Sequence, residues 1–282
     1  MTLVVSDISS LGIVMVGDSA VTDSRTNTVT AGAIKVQYSA AANVGFALWG
    51  NAGVDHRRID TWLAEFISTR ISKNDSVEDI GNRLSSELNA ILVASRKSWA
   101  DLVRGIHLAG FRNGLPVLFH VHCGHDDEPA HELRLYKDFP DNKKWSESHF
   151  RHLLSFGFIH LRNGFHPLFA PLFERAVQYA GDLRAQFNIQ FPHPSLDGRL
   201  EFYKLLVRYV AGTLKAAKLS QGVNDTLSTI AFGPAGLIVD ERLSFPTSPP
   251  IGSYEEFFLA TTANKPLHPI LGSGAPRRPS AG

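Results

Sequence analysis

Cysteine is almost absent from the sequence, since the 282 residues include only one, Cys123. A single cysteine cannot form an intramolecular disulfide framework, and it excludes a zinc site built on several thiolates. We therefore expect a protein of a reducing, cytoplasmic compartment.

An excess of charge of one sign is also lacking, because 28 Lys and Arg residues stand against 27 Asp and Glu residues. Such a chain has no field with which to hold nucleic acid or an anionic membrane by charge alone. Long hydrophobic runs are missing too, since none reaches the roughly 18 to 20 residues of a membrane-spanning helix. We expect neither nucleic acid nor a membrane as a partner.

The first residues lack the basic segment, the long apolar stretch and the small-residue cleavage site of a signal peptide. We therefore expect the working protein to begin at residue 2. A phosphate-binding loop is not recognisable either, because the glycine-rich stretch 233–236 lacks the required spacing. The sequence gives no sign of a nucleotide or other cofactor.

Regular hydrophobic patterns are what the sequence does contain. A period of two predicts strands over 3–8, 11–19, 33–38 and 44–49, the first two forming a hairpin. A period of 3.6 predicts helices over 59–71 and 77–91, and Asp75 with Glu78 three residues later predicts a capped start for the second helix.

The same alternation of patterns recurs in the second half of the chain. Strands are predicted over 106–111 and 115–122, across an Asn113-Gly114 turn, and again over 133–136. Helical patterns over 168–183 and 202–214 precede strands over 229–233 and 237–239. This order predicts an α+β fold, a four-layer αββα sandwich of two stacked sheets with a helix pair outside each.

Periodicity ends near residue 244. The remaining stretch contains seven prolines and no regular hydrophobic pattern. We interpret residues 1–243 as one domain and residues 244–282 as a Pro-rich, extended or partly disordered tail.

Thr2 is the first residue that could take part in a chemical reaction. If Met1 is removed, Thr2 carries both a nucleophilic hydroxyl and a free α-amine, whose usual pKa of about 7.7 to 8.0 makes it a base at ambient pH. The alternative is that threonine is simply common at position two.

Two charged residues in apolar surroundings could serve such a nucleophile. Asp18 ends a hydrophobic run, and Lys35 lies within a predicted strand. Paired in a partly buried sheet, they would lower the pKa of a nearby hydroxyl and stabilise an alkoxide. Gly50, at the next turn, could offer its N–H to an oxyanion. The alternatives are a solvent-facing lysine, an aspartate that caps a turn and a glycine that only turns the chain.

Taken together, Thr2, Asp18, Lys35 and Gly50 resemble the N-terminal nucleophile hydrolases of the proteasome β-subunit type. In that family the threonine attacks, the lysine polarises its oxygen, the aspartate holds the lysine and the glycine N–H helps form the oxyanion hole. Length and tail look most like the bacterial proteasome homologue, with Anbu-type proteins and the HslV peptidase as relatives. The resemblance implies a threonine peptidase that acts through an acyl-enzyme ester.

Further roles follow from the same resemblance. Asp225 and Ser228 match an Asp-x-x-Ser motif that positions the amine of the nucleophile, and Leu48 falls where the family lines its specificity pocket, which implies an apolar preference. Such subunits assemble into homo-oligomeric double rings that enclose peptide or unfolded-protein substrates. Since no nucleotide site is recognisable in this sequence, any ATP-driven unfolding of substrates would come from a separate partner. The spacing from Asp18 to Lys35 is one residue longer than in the family, and Ser155 is only a weak counterpart of the family's other supporting serine.

Other interpretations remain open at this point. His120 and His122, which share one face of a strand, could bind a metal ion with His125, although strand histidines are more often structural. Cys123 could be a nucleophile only with a base on its own face. The chain could also be a small-amide hydrolase, or a catalytically silent ring or binding subunit that retains Met1.

Overall fold

The computed structural model describes residues 2–22, 29–30, 32–50, 53–54, 57–95, 105–123, 133–139, 158–164, 166–190, 194–218 and 222–244. In these ranges the chain is a mixture of helices and antiparallel strands. The strands are, in chain order, β1 (Leu3–Ser9), β2 (Gly12–Asp18), β3 (Val21–Thr22), β4 (Val29–Thr30), β5 (Val36–Ser39), β6 (Val44–Trp49), β7 (Gly53–Val54), β8 (Arg57–Arg58), β9 (Gly105–Arg112), β10 (Leu115–Cys123), β11 (Leu133–Phe139), β12 (Phe158–Gly164), β13 (Leu227–Gly233) and β14 (Gly236–Ser244).

Four helices are described, namely α1 (Ile59–Arg70), α2 (Val77–Ser95), α3 (His166–Phe187) and α4 (Leu196–Ala216). Within the described ranges, no helix is both long and apolar enough to span a membrane.

Two five-stranded sheets form the centre of the fold. The first sheet has the order β12-β1-β2-β13-β14, and the second has the order β11-β10-β9-β6-β5. Every neighbouring pair in both sheets is antiparallel. The predicted α+β class is confirmed at this level.

Side-chain alternation along the strands divides the core into three hydrophobic clusters. Val14 and Val16 on β2 join a cluster with residues of α3 and α4. Their neighbours Ile13 and Met15 join a second cluster, which contains residues of both sheets. The third cluster combines strands of the second sheet with α1 and α2. Two of the clusters therefore combine strand residues of one sheet with helix residues, and one cluster combines residues of both sheets.

Several local predictions are confirmed. The first two strands form the predicted hairpin, with Ile8 opposite Ile13. The predicted turn between β9 and β10 has positive φ at both central residues, 52° at Asn113 and 76° at Gly114, as a tight hairpin of this type requires.

Three details differ from the sequence prediction. Lys35 lies just before β5 rather than inside a strand. Helix α2 is capped one residue later than predicted, because Ser76 accepts from the Asp79 N–H while the Asp79 carboxylate accepts from the Ser76 N–H. Asp75 instead pairs with Arg83.

The third difference is β12, which the sequence analysis missed. Its sequence, FIHLRNG, mixes apolar residues with His, Arg and Asn and gives only a weak strand pattern. The strand nevertheless pairs with β1 over its full length, from Leu3 opposite Gly164 to Ser9 opposite Phe158. The partner strand therefore determines this element more than its own composition does. Beyond Ser244, the predicted tail lies outside the described residues.

A substitution at Gly45 can test how tightly the two sheets pack. A Cβ atom at Gly45 would lie 2.6 Å from Met15 Sδ and 2.7 Å from Ile230 Cδ1. We expect Gly45→Ala to lower the free energy of unfolding by about 1–3 kcal/mol, because these side chains must shift within a packed core. Urea unfolding followed by circular dichroism measures this change.

The matched control is Gly212→Ala in α4, where, apart from the neighbouring residues and backbone of the same helix, no atom of the described residues lies within 4 Å of the added Cβ. We expect this variant to gain about 0.5–1 kcal/mol, because alanine restricts the unfolded chain and favours the helix. Equal effects of the two substitutions would contradict the packing described for the two sheets.

Candidate active site

Thr2 lies immediately before β1 and is 4% exposed. Its hydroxyl Oγ1 accepts a hydrogen bond of 2.6 Å from Lys35 Nζ. The predicted nucleophile and the predicted lysine are therefore in direct contact, although 33 positions separate them in the chain.

The Lys35 ammonium also donates to Asp18 Oδ1, at 3.0 Å. Asp18 is fully buried, and its carboxylate accepts two backbone N–H groups, that of Leu3 at 2.7 Å and that of Ala20 at 2.9 Å. These bonds stabilise the ionised carboxylate, which needs hydrogen-bond donors once it has lost contact with water. Asp18 thus holds the lysine and the start of β1 together.

Burial lowers the pKa of Lys35 from its ordinary value, and the neighbouring Asp18 opposes this shift. An ammonium group with a lowered pKa is a better proton donor than a solvated lysine. Since Lys35 Nζ contacts Thr2 Oγ1, the ammonium group can stabilise negative charge on that oxygen.

The pairing of strands explains why these residues meet. Asp18 ends β2, which runs antiparallel to β1, so its side chain reaches the backbone N–H beside Thr2. The second sheet holds the backbone of Lys35, because the Lys35 carbonyl accepts a hydrogen bond from the Leu48 N–H of β6 at 2.8 Å.

Gly50 follows the last residue of β6 and is exposed, with φ of 99°. This positive φ is a backbone conformation that glycine adopts readily and other residues rarely do. Gly50 lies two residues after Leu48, and the Leu48 N–H donates to the Lys35 carbonyl. Strand β6 therefore fixes the position of Gly50 relative to the lysine.

Ser228 and Asp225 occupy different environments. Ser228 lies inside β13 opposite Gly17, and its buried hydroxyl accepts from the Val36 N–H at 3.0 Å. Asp225 precedes β13 and is exposed, and Arg208 contacts its backbone carbonyl. Among the described residues, no hydrogen bond joins the Asp225 or Ser228 side chain to Thr2. Ser155 lies outside the described residues.

Leu48 is 3% exposed and belongs to the hydrophobic cluster that the second sheet forms with α1 and α2. Its backbone contacts the Lys35 carbonyl, so its position relative to the lysine is fixed.

The histidines of β9 and β10 form part of the buried interior. His120 Nε2 accepts from the Trp49 indole at 2.8 Å, and His107 Nδ1 lies 2.8 Å from Ser6 Oγ. The rings of His120 and His122 stack at 4.2 Å, in agreement with their shared strand face. Within the described ranges, no group of three His, Cys, Asp or Glu residues is arranged to hold a metal ion. His125 lies outside those ranges, and Cys123 is the last residue of β10.

Two further polar residues contact the chain directly beside Asp18 and Lys35, and the sequence analysis missed both. Asn224 Oδ1 accepts from the Ser19 N–H at 3.0 Å, next to Asp18. Asp60, in the first turn of α1, accepts from the Ile34 N–H at 3.0 Å, next to Lys35. The position of Asn224 directly before Asp225 was a signal that could have identified it. Asp60 gave no such signal, because an acidic residue in the first turn of a helix is common.

Comparison with known proteins supports the fold. No protein-family model and no curated protein matches the chain. Among solved structures, Anbu (ancestral β-subunit) from Yersinia bercovieri is similar at 14% identity, with a TM-score of 0.57 over 96% of this chain and 100% of that chain. The Gly-1 mutant of Anbu from Hyphomicrobium sp. strain MC1 is similar at 13% identity, with a TM-score of 0.52 over 94% of each chain.

At such low identity these similarities concern the fold alone. They show that this chain has a fold similar to that of the two Anbu structures.

The burial of the Lys35–Asp18 pair leads to a prediction about the free energy of unfolding. Lys35→Met leaves the Asp18 carboxylate buried without its cation, and we expect a loss of about 3–5 kcal/mol in the free energy of unfolding. Adding Asp18→Asn to Lys35→Met should recover part of this loss, because the unpaired charge is then removed as well. Urea unfolding of the two single variants and the double variant measures the coupling.

Lys73→Met is the control, because Lys73 is an exposed lysine in the turn between α1 and α2. Its effect should stay within about 0.5 kcal/mol. Strictly additive losses in the double variant would contradict the coupling between Lys35 and Asp18.

Proposed function

We propose that this protein is a threonine peptidase of the proteasome β-subunit type, with Thr2 as its N-terminal nucleophile after removal of Met1. The observation that carries the proposal is the buried chain of hydrogen bonds from Asp18 to Lys35 Nζ to Thr2 Oγ1. A hydroxyl of this kind, activated by an adjacent ammonium and by its own α-amine, is suited to acyl transfer.

In the proposed reaction, Thr2 Oγ1 attacks the carbonyl carbon of a peptide bond and the α-amine of Thr2 accepts the hydroxyl proton. Lys35 stabilises the oxygen as negative charge develops on it, and the Gly50 N–H donates to the oxyanion. The C–N bond then breaks, and the amine returns the proton to the leaving group. Water hydrolyses the resulting ester and regenerates the Thr2 hydroxyl.

Asp225 and Ser228 complete the proposed site by orienting the α-amine. Support for Ser228 is its burial within β13 opposite Gly17, the residue before Asp18. The assignment of Asp225 rests on the sequence motif and on its position shortly before β13.

Leu48 is the proposed wall of the pocket for the residue that is cleaved. The assignment rests on the position of Leu48 two residues before Gly50 and on the hydrogen bond from its N–H to the Lys35 carbonyl, and it implies an apolar preference at the cleaved residue.

The larger architecture belongs to the same proposal. The three hydrophobic clusters support a four-layer αββα order, in which each sheet lies between the other sheet and a helix pair. We further propose the closed homo-oligomeric double ring of the bacterial proteasome homologue, in the cytoplasm, with the active sites facing an inner chamber. A ring would restrict access to peptides and unfolded chains.

The nucleophile can be tested by intact mass spectrometry of untagged protein before and after treatment with a peptide epoxyketone. This electrophile requires both a hydroxyl and a free α-amine on one residue, so we expect loss of one methionine and a single adduct. Thr2→Ala should abolish the adduct and the cleavage of fluorogenic peptides, which should favour apolar residues at the cleaved position. Thr2→Ser is the matched control, because it retains the hydroxyl.

Retained Met1 without an adduct would contradict this assignment and favour a silent ring or binding subunit, because an acylated amine is no longer a base. Peptide cleavage with a preference for basic residues would contradict the assignment of Leu48.

Ring assembly predicts a particle several times the mass of one 30.9 kDa chain. Analytical ultracentrifugation at micromolar concentration measures it. A monomer that hydrolyses small amides as well as peptides would contradict the ring and favour a small-amide hydrolase with the same nucleophile.

A further inference from the structure

We propose that Asp60 is a positioning residue for Lys35, because its carboxylate fixes the irregular backbone segment that carries the lysine. This inference rests on the proposed function, in which Lys35 serves the Thr2 nucleophile. Asp60 contacts neither Thr2 nor Lys35 Nζ through a described hydrogen bond, so it positions the lysine through the backbone.

The segment in question, residues 32–35, belongs to no strand. It starts at Gly32, where φ is 110°, and enters β5 only at Val36. Outside a regular strand, each buried backbone group needs its own partner, since no neighbouring strand supplies a continuous series of hydrogen bonds.

Different elements supply those partners one by one. The Ala33 N–H donates to the Ser19 carbonyl at 3.1 Å, and the Leu48 N–H donates to the Lys35 carbonyl at 2.8 Å. The Ile34 N–H, directly before the lysine, donates to Asp60 Oδ2 at 3.0 Å. Asp60 is the charged acceptor in this set, and hydrogen bonds to ionised acceptors are the stronger kind.

Asp60 is itself fixed on both carboxylate oxygens. Arg58 donates from Nε to Oδ1 at 3.0 Å and from Nη2 to Oδ2 at 2.6 Å. The same Nη2 also donates to the Gly32 carbonyl at 2.8 Å, at the start of the segment. Arg58 and Asp60 together therefore hold the segment at Gly32 and at Ile34.

Gln37 adds a second link between Asp60 and the segment. Its Nε2 donates to the Ile34 carbonyl at 3.2 Å and to the Asp60 carbonyl at 2.7 Å. Both backbone groups of Ile34 are thus tied, directly or through Gln37, to the first turn of α1.

The charge of Asp60 acts on the lysine as well. Burial lowers the pKa of Lys35, and the Asp60 carboxylate opposes that shift together with Asp18. Asp60 therefore influences both where the ammonium group lies and how readily it holds its proton.

Two substitutions separate these effects. Asp60→Ala removes the acceptor for Ile34, whereas Asp60→Asn retains an oxygen that can accept this bond. The folded state should tolerate both, because the Arg58 side chain that loses its partner is 51% exposed. The matched control is Asp79→Asn, at a first-turn carboxylate of α2 that accepts from the Ser76 N–H at 3.1 Å.

The experiment measures two quantities on the full chain of each variant. Hydrogen exchange with mass spectrometry follows the amides of residues 33–38, independently of catalysis. The second-order rate of epoxyketone labelling at Thr2 reports the reactivity of the nucleophile. For Asp60→Ala we expect hydrogen exchange of this segment to accelerate about tenfold or more, because a hydrogen bond to a charged acceptor is lost. We expect labelling at Thr2 to slow by at least a similar factor.

Asp60→Asn should restore most of the protection and part of the labelling rate, and Asp79→Asn should change neither. Unchanged exchange and labelling in Asp60→Ala, or an equal effect of Asp79→Asn, would overturn the inference. If Asp60→Ala alters exchange as expected but the unsubstituted protein is never labelled at Thr2, the proposed function fails and Asp60 retains only its role in holding the segment. The two failures are thereby distinguishable.

Discussion

The buried ion pair between Lys35 and Asp18 is the interaction on which the site depends. Removing both groups from water is costly, and the cost is offset only because hydrogen bonds satisfy the carboxylate from several sides. Leu3 and Ala20 donate backbone N–H groups to Asp18, while Lys35 directs a further donor bond to Thr2. The same contacts that make the charges tolerable in the interior therefore define where the lysine meets the hydroxyl.

A regular strand would not place the lysine in this way. Residues 32–35 leave the pattern of the sheet, and their backbone groups are satisfied by Ser19, Asp60 and the N–H of Leu48 instead. Each of these partners belongs to a different element, so the position of Lys35 depends on the first sheet, the second sheet and α1 together. Such a segment is held firmly only in the complete fold.

A second polar network lies between the sheets and is separate from this site. Ser6 and His107 are fully buried and lie within hydrogen-bond distance, and His120 accepts from Trp49. His120 and His122, two of the three histidines that suggested a metal site, thus have partners in the interior. Because Trp49 ends β6, this network also anchors the strand end that leads to Gly50.

The hydrophobic periods of the sequence by themselves determined the hairpin of β1 and β2 and the four described helices, and the Asn113-Gly114 dipeptide determined the turn between β9 and β10, because each is a local pattern. Asp18 and Lys35 were likewise recognisable as candidates from the sequence, because charged residues are unusual within apolar runs. Only the tertiary structure decided that β12 pairs with β1, that Asn224 accepts from the Ser19 N–H and that Asp60 accepts from the Ile34 N–H. Their roles depend on contacts between residues far apart in the chain, and short-range spacing carries no record of such contacts.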